Sequence, residues 1–509
     1  MRNKRKKSAF DLSHTKSMTT GFDGKLYPIL CEAVLPGDVW KGTTNILGRV
    51  TPLVQPIFGR FDIRTDFFFV PNRIVWDNWR SFISPDDNQL DQQPVFPAFR
   101  VKHPLVVSVP DAVVIEKVKA GTLSDYLGCG LPAVYQFPEL VSNDTRSMLP
   151  YRAYATIWNE FYRDQDLQDE IAIRKGDGFI LEDDVHLLDF LHANWEKDYF
   201  TTARPWAQKG APATVPLSMQ NLVTPDGTPA VNGDVYIDGG NLVDGNNEDV
   251  TVAGGFSIED LRYANSLQRW LERNSRRGTR YIESLMSHFG VRVPDFRLQR
   301  PEFVGGGRQP LVISEVLQTN NNPSDETPLG TYAGHGISSG THTFNYSAQE
   351  HGYIIGLMRI VPRTSYMNVV RRDFLKTDRF DFFWPDFAHL GEQEIKKSEV
   401  NGRYAFDASE ESQTFGYTER YAEYKFIPSS VHGNMRSDAI LANFTPARNI
   451  GNQTDAGELN GFFVSMKNTS GYERIYAIDE YDPYLVQIHH NITAYRPVPR
   501  NSTPGGHYL

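Results

Sequence analysis

Cysteine is nearly missing from this chain: Cys31 and Cys129 are the two in 509 residues, too few for a disulfide framework and without the CxxC partner that a zinc site needs. A reducing compartment, or no redox role, is the economical reading. No apolar run approaches the ~18 residues of a membrane-spanning helix, so no membrane insertion is expected. The N-terminus lacks the continuous apolar stretch of a signal peptide, because its basic residues lead straight into SAFDLSHTKS. A soluble protein follows, and the Asn-x-Ser/Thr matches at Asn143, Asn345, Asn468, Asn491 and Asn501 carry no glycosylation reading without secretion. Acid is also missing from the first seven residues, MRNKRKK, although the chain as a whole has a formal charge of -10.

What is abundant is aromatic and turn-forming. There are 31 Phe, 24 Tyr and 8 Trp beside 40 Gly and 31 Pro, a mixture that favours short pleated strands joined by turns and long loops. In RFDIRTDFFFVP, Phe61, Ile63 and Thr65 share one parity and Asp62, Arg64 and Asp66 the other, which predicts a half-buried strand running into a fully buried stretch. EHGYIIGLMRIVPRT, TERYAEYKFIP and PYLVQIHHNITAYRPVP read as further strands. Helices are expected in LPYRAYATIWNEFYRDQ, where Pro150 suits a first turn and Ala153, Ile157 and Phe161 recur every four residues. A second is expected from the Ser257/Asp260 capping spacing to Gly278, with Ile258, Leu261, Ala264 and Leu271 on one side, and a third closes at Gly290. Residues 207–255 are rich in Gly, Pro, Asn and Asp and read as an exposed insertion. Strands at both ends with helices and loops between them fit a β-sandwich or jelly roll better than an alternating βαβ protein.

Candidate chemistry is sparse. Gly305–Gly307 lacks the Lys and following helix of a phosphate loop and reads as a flexible turn. His489 and His490 are strand neighbours that point to opposite faces and do not share a metal. His389 with Glu392, and Glu350 with His351, have acid–base spacing but no HExxH or other ordered set accompanies them. Glu182, Asp183 and Asp184 lack the spacing and Gly turn of a calcium loop. No catalytic residue, metal site or cofactor is therefore assigned. The basic start is more informative: Arg2, Lys4, Arg5, Lys6 and Lys7 form a self-repelling tail of the kind that engages polyanions. Five cations on single-stranded nucleic acid give a salt slope of about -3.5, so one arm alone binds weakly. Many arms converging on one polymer bind strongly.

Several phrases resemble one family, the major capsid protein of microvirus-type small single-stranded DNA bacteriophages (Microviridae), particularly the gokushovirus-like branch. FDLSHTKSMTTGFDGKLYPILCEAVLPGDVW carries Phe10, Asp11, Ser13, His14 and the turn Leu35–Asp38. FFFVPNRIVWDNWRSF, YRAYATIWNEFYRDQDL, HFGVRVPDFRLQRPEFVGGG, FFWPDFAHLGEQEI, FGYTERYAEYKFIPSSVHGNMRS and DPYLVQIHHNITAYRPVP continue the likeness in collinear order. The resemblance implies a mainly β fold: a viral jelly roll, an eight-stranded antiparallel β-sandwich with long inserted loops and a few helices. It implies a virion structural protein, not an enzyme, that self-assembles into a small icosahedral, T=1-like shell around circular single-stranded DNA. The domain expectation is a basic arm over 1–20, facing inward, and one jelly-roll domain over 21–509 with a surface insertion at 207–255 and a helical insertion at 257–289. Implied partners are further copies of the chain, the packaged DNA, a small basic DNA-binding virion protein, a pilot protein, a scaffolding protein and a host surface receptor, with assembly in the bacterial host cytoplasm. The competing class is a secreted-type β-sandwich enzyme acting on glycans, or a carbohydrate-binding module. The enzyme needs two carboxylates about 5 to 9.5 Å apart in a cleft. The aromatic runs Phe67–Phe69 and Phe382–Trp384 are expected in the core first and at subunit contacts second.

Overall fold

The computed structural model describes residues 7–84, 93–102, 112–130, 145–180, 182–213, 222–223, 236–238, 241–243, 251–252, 258–276, 278–317, 332–406, 413–437, 441–450, 458–467, 472–477 and 481–500. Nine strands build its main sheet: β1 Ser8–Asp11, β2 His14–Thr20, β3 Tyr27–Val34, β4 Val39–Leu53, β5 Phe61–Pro71, β6 Glu302–Leu317, β7 Tyr332–Ser347, β8 Gly352–Pro362 and β9 Tyr484–Arg496. β1 and β2 follow one another along β9, with Ser8 opposite Arg496 and Thr20 opposite Tyr484, so the nine strands fill eight positions. The expected arm over 1–20 thus enters the sheet at Ser8.

Every pairing in this sheet is antiparallel, in the order β1/β2, β9, β4, β7, β6, β5, β8, β3. Numbered by position, first pairs with eighth, third with sixth, fifth with fourth and seventh with second. These are the rungs of one long antiparallel ribbon, and winding it lays the eighth beside the third and the fourth beside the seventh. That is the connectivity of a jelly roll, two four-stranded layers face to face, here joined along one edge by the pairing of β6 with β7 into a single curled sheet.

Side-chain parity explains the two layers. In β4 and β9 buried and exposed residues alternate along most of each strand, as one covered face requires. Their inward residues Trp40, Ile46, Val50, Val486, Ile488 and Ile492 meet Phe61, Ile63, Phe67, Phe69, Ile354 and Met358 in the sandwich interior. β5 and β8 are covered on both faces. Phe68, Val70, Ile355 and Leu357 turn away from the interior into a second core formed with helix α1, Leu149–Ile157. The unbroken aromatic run Phe67–Phe69 is therefore core on both sides, as expected of a doubly buried strand.

α1 begins with Pro150 in its first turn and runs on into a π-helical turn at Trp158–Tyr162. It is buried almost all round, and its one buried cation is held in part by backbone: Arg152 donates through its two terminal nitrogens to the carbonyls of Val75 at 3.3 Å and Gly176 at 3.1 Å, while its buried Nε has no hydrogen-bond partner among the described residues. The other two long helices are α2, Ile258–Arg276, and α3, Tyr281–Phe289, which ends at Gly290 in the left-handed conformation. Ser257, the proposed cap of α2, lies outside the described residues, as does most of 207–255; the described backbone there forms short paired strands, including Tyr236–Asp238 with Asn241–Val243.

Two expectations are corrected. TERYAEYKFIP is not a strand: only its first residues finish the strand Thr414–Glu419, then Tyr421 takes φ +62° and a 3-10 turn follows at Ala422–Tyr424. Gly305–Gly307 is not a flexible turn but part of β6, squeezed between β5 and β7. A Cβ on Gly306 would stand 2.3 Å from the Thr65 carbonyl oxygen, and one on Gly307 2.3 Å from the His342 ring. Close approach of three strands is what these glycines permit. Beyond them the β6–β7 ladder opens until Val312 pairs with Ile337. Gln309 and Ser338 bond to each other there at 2.8 Å, while Thr65 bonds His342 at 2.5 Å. We expect Gly306→Ala to destabilise the soluble protein by about 1–3 kcal/mol, since a backbone atom has to move; a denaturation midpoint equal to the parent's would refute this packing account.

Candidate functional site: an assembly surface

The chain between β8 and the two-stranded ladder Glu392–Lys396/Thr414–Glu419 is built from 3-10 turns at Arg372–Phe374, Arg379–Asp381 and Pro385–Phe387. Turns of three residues present too little surface to form a core of their own. They are held by local polar bonds instead. Asp381 accepts from the backbone N–H groups of Thr377 and Asp378 at 3.0 and 2.9 Å, which lowers its pKa, and Trp384 Nε1 donates to the Arg379 carbonyl at 2.9 Å. The rings consequently face outward: Phe374 is 80 % exposed, Phe382 52 %, Phe383 50 % and Trp384 46 %. Phe383 packs edge-on to Tyr421 at 4.9 Å, and Lys376 Nζ sits 4.1 Å above the Tyr424 ring. Phe426 and Ile427 extend the patch past Arg371–Asp373, with Ile427 75 % exposed. The core assignment of Phe382–Trp384 is thereby overturned, because the segment has no regular element with which to bury them.

α2 and α3 form a second uncovered apolar surface. They attach through polar contacts: Arg280 donates to the carbonyls of Asn159 and Arg163, Lys209 Nζ bonds Asp166 and Thr279, and Arg276 pairs with Glu392. Ser275 is the only buried residue of α2, and the side that gathers Ile258, Leu261, Ala264 and Leu271 leaves Ile258 and Leu261 open. Trp270 of α2 and Tyr281, Met286 and Phe289 of α3 are exposed too, and Trp270 stacks on His288 of α3 with ring centroids 6.1 Å apart. Isolated exposed apolar residues need no explanation, but contiguous aromatic patches mark protein contacts.

The other singled-out residues are not brought together. Arg2, Lys4, Arg5 and Lys6 lie outside the described residues; Lys7 is exposed and leads into β1. Glu350 is bidentate to Arg73, at 2.7 and 3.0 Å, while His351 packs against Trp79. His389 is exposed, and Glu392 is taken by Arg276. Asp184 is paired with Arg174 at 3.6 Å, and Asp183 is exposed. Among the described residues no group of His, Cys, Asp and Glu is arranged to hold a metal. Gly336, Ser338 and Gly340 have the spacing of a nucleophile elbow, yet they lie within β7, where buried Ser338 donates to the Pro310 carbonyl at 2.8 Å.

His489 and His490 do face opposite ways. His489 is exposed, whereas His490 is fully buried, with Nδ1 2.9 Å from Thr44 Oγ1 and Nε2 3.1 Å from the Ile29 carbonyl. His490 thus ties β9 and β4 of one sheet to β3 of the other.

A jelly roll with two uncovered aromatic surfaces is a structural subunit that its neighbours complete. The chain matches, over residues 2–506, the family described as capsid protein (F protein), and belongs to it. It is 30% identical to capsid protein VP1 of Chlamydia phage 1, across 98% of this chain and 96% of that one. To capsid protein VP1 of Bdellovibrio phage phiMH2K it is 34% identical, across 85% and 83%. To capsid protein VP1 of Spiroplasma virus 4 it is 29% identical, across 95% and 92%. The microvirus-type, gokushovirus-like resemblance is borne out: this is a structural major capsid protein, and the glycan-enzyme alternative has no support.

Two outcomes follow. Phe374→Ser with Ile427→Ser should leave the unfolding midpoint of the soluble chain within about 0.5 kcal/mol of the parent, since both side chains are exposed, yet lower particle yield severalfold in sedimentation; undiminished yield would remove this patch from assembly. Burial, with the neighbouring His14, pushes the His490 pKa down to about 4, and burial lowers those of His192 and His342 as well. A depressed imidazole pKa means that the unfolded chain binds the proton more readily. Stability should be full above about pH 6.5 and decline as pH falls toward 4. His490→Gln should flatten that decline in denaturation midpoints measured across the interval, and an unchanged slope would count against the assignment.

Proposed function

We propose that this capsid protein closes into a small icosahedral, T=1-like shell around circular single-stranded DNA, through heterologous contacts of its two aromatic surfaces around the symmetry axes. The observation that carries this reading is the pair of apolar surfaces left uncovered on one chain: different patches on one subunit suit head-to-tail contacts that close into rings. Single interfaces of modest area suffice, because each copy is held by several neighbours at once.

In this reading the jelly-roll domain expected over 21–509 begins instead at β1, Ser8, with 207–255 as a surface insertion and 257–289 as a helical insertion that carries part of the contact surface. Arg2, Lys4, Arg5, Lys6 and Lys7 form an inward arm ahead of β1. The acidic body keeps the exterior soluble, and the arms bind packaged DNA through its phosphates without reading sequence. A small basic DNA-binding protein, a pilot protein, a scaffolding protein and a host receptor are the remaining partners, with assembly in the host cytoplasm.

Sedimentation velocity of nuclease-treated particles, followed at 260 and 280 nm, tests the shell: one fast species rich in protected DNA is expected, and the chain found solely in slow DNA-free species would refute it. Replacing the five arm cations by Gln should reduce encapsidated DNA per particle, because five contacts give a salt slope of about -3.5 and roughly a hundredfold in affinity between 50 and 200 mM salt. Unchanged DNA content would remove the arm from packaging.

A further inference from the structure

The two sheets of the sandwich differ on their outer sides. β5 and β8 are covered by the helical layer, whereas the outward side chains of β2, β9, β4 and β7 stay open to solvent. That open face has an unusual composition for a chain with 62 Asp and Glu against 52 Lys and Arg. Its outward positions are largely hydroxyl and amide side chains, such as Ser17, Asn45, Thr341, Gln487 and Asn491. Two exposed cations, Lys41 and Arg49, stand among them, and neither makes an ion pair among the described residues. Among the described outward residues the one carboxylate is Asp11 at the margin, which accepts from the Ser13 backbone N–H and hydroxyl at 3.0 and 2.5 Å.

At one end this face is concave. The segment Ala120–Tyr126 rises beside β2 and encloses with the sheet a groove of about 810 Å³, lined by Ser17, Thr19, Leu47, Arg49, Leu485 and Gln487. The rim is fixed from below, since Lys16 Nζ donates to the carbonyls of Tyr126 at 2.5 Å and Pro28 at 2.9 Å, and the Tyr126 hydroxyl donates to the Thr19 carbonyl at 2.6 Å. Asp125 on the rim is engaged with the Gly121 N–H at 3.0 Å.

We infer that this groove and the open face beside it bind a stretch of extended single-stranded polynucleotide. Arg49 and Lys41 meet phosphates, Leu47 and Leu485 support a base, and the hydroxyl and amide groups supply contacts that do not discriminate sequence. A groove of this volume is within the size range of small-ligand sites and so holds a nucleotide or two. Charge favours this occupant: the face has cations and almost no acid on a protein that is acidic elsewhere. Continuity favours it as well, because Lys7 enters β1 on the same sheet, some 30 Å along β9 from the groove. The inference rests on the DNA-enclosing shell proposed above and extends it from the arm to the wall.

Ultraviolet cross-linking of packaged DNA in intact, nuclease-treated particles, followed by peptide mass spectrometry, tests it. Nucleotide adducts on residues 14–20, 41–53 and 484–496 are expected. Protected DNA with adducts confined to other peptides overturns the inference, as do protein–protein cross-links on 484–496 without nucleotide, which would mark a second copy over the face. Particles lacking protected DNA overturn the shell reading instead, and binding of oligothymidylate to the soluble full-length chain then decides the groove on its own. There Lys41→Gln with Arg49→Gln should reduce the log–log salt slope by about 1.4, two contacts at ~0.7 each. Lys425→Gln, outside this face, should leave it unaltered; a double variant with the parent's slope overturns the inference.

Discussion

The double burial of β5 is the constraint from which the remaining architecture follows. Phe67, Phe68, Phe69 and Val70 are all buried to within a few per cent of complete, and consecutive strand residues point to opposite faces. Such a strand needs an apolar layer on each side. The sandwich interior covers Phe67 and Phe69, and α1 with its surroundings covers Phe68 and Val70. Because the helical layer is committed to this sheet, the opposing sheet has no cover of its own among the described residues. Its strands are consequently two-faced, apolar inward and polar outward, and its outer face is available to something other than this chain.

The insertions obey the same economy. α2 and α3 are held to the body by Arg280, Lys209 and Arg276, through charged and carbonyl contacts, and not by their apolar stripe. Polar attachment lets a helix keep its hydrophobic side outward without losing its position. The turns between Arg371 and Leu390 achieve this differently: Asp378 and Asp381 close the middle bend on neighbouring N–H groups, and Asp373 holds the first through the side chains of Arg371 and Lys376, while the rings stay open. Hydrophobic contact is non-directional and scales with area. Surfaces of this kind acquire their specificity from the rigid bends and pairs that hold them.

Much of the fold is written in residue parity. The alternation in PYLVQIHHNITAYR marks β9 because a sheet with one wet face imposes a period of two, while in β5 the alternation from Phe61 separates the apolar side chains of the sandwich interior from the paired charges Asp62, Arg64 and Asp66. The same rule separates His489 from His490. Gly278 and Gly290 mark the ends of α2 and α3 because a left-handed φ there suits glycine. What stays hidden is where an apolar segment goes once its type is known. Phe382–Trp384 has the composition of core, and only the absence of a regular period in its neighbourhood hinted that it would lie in 3-10 turns. The glycines at 305–307 have turn composition, but it is the approach of β5 and β7 from either side that requires them. The groove beside Arg49 assembles residues from positions 16 to 487, and no local pattern records such a meeting.

The forces are also divided by location, and this sets which conditions act on which layer of a shell. The aromatic surfaces hold through apolar area, a term to which salt screening and proton uptake contribute little. In the shell proposed above, the arm and the groove would meet phosphates through cations, and that hold would fall steeply as salt rises. Acid acts inside the subunit. His490 lies between the sheets with one nitrogen toward the Thr44 hydroxyl and the other toward the Ile29 carbonyl, so protonation adds a charge where no carboxylate is in hydrogen-bonding contact to balance it. On that reading salt loosens the contents from the wall more than it loosens neighbour contacts, whereas acid weakens the sandwich that positions every surface at once.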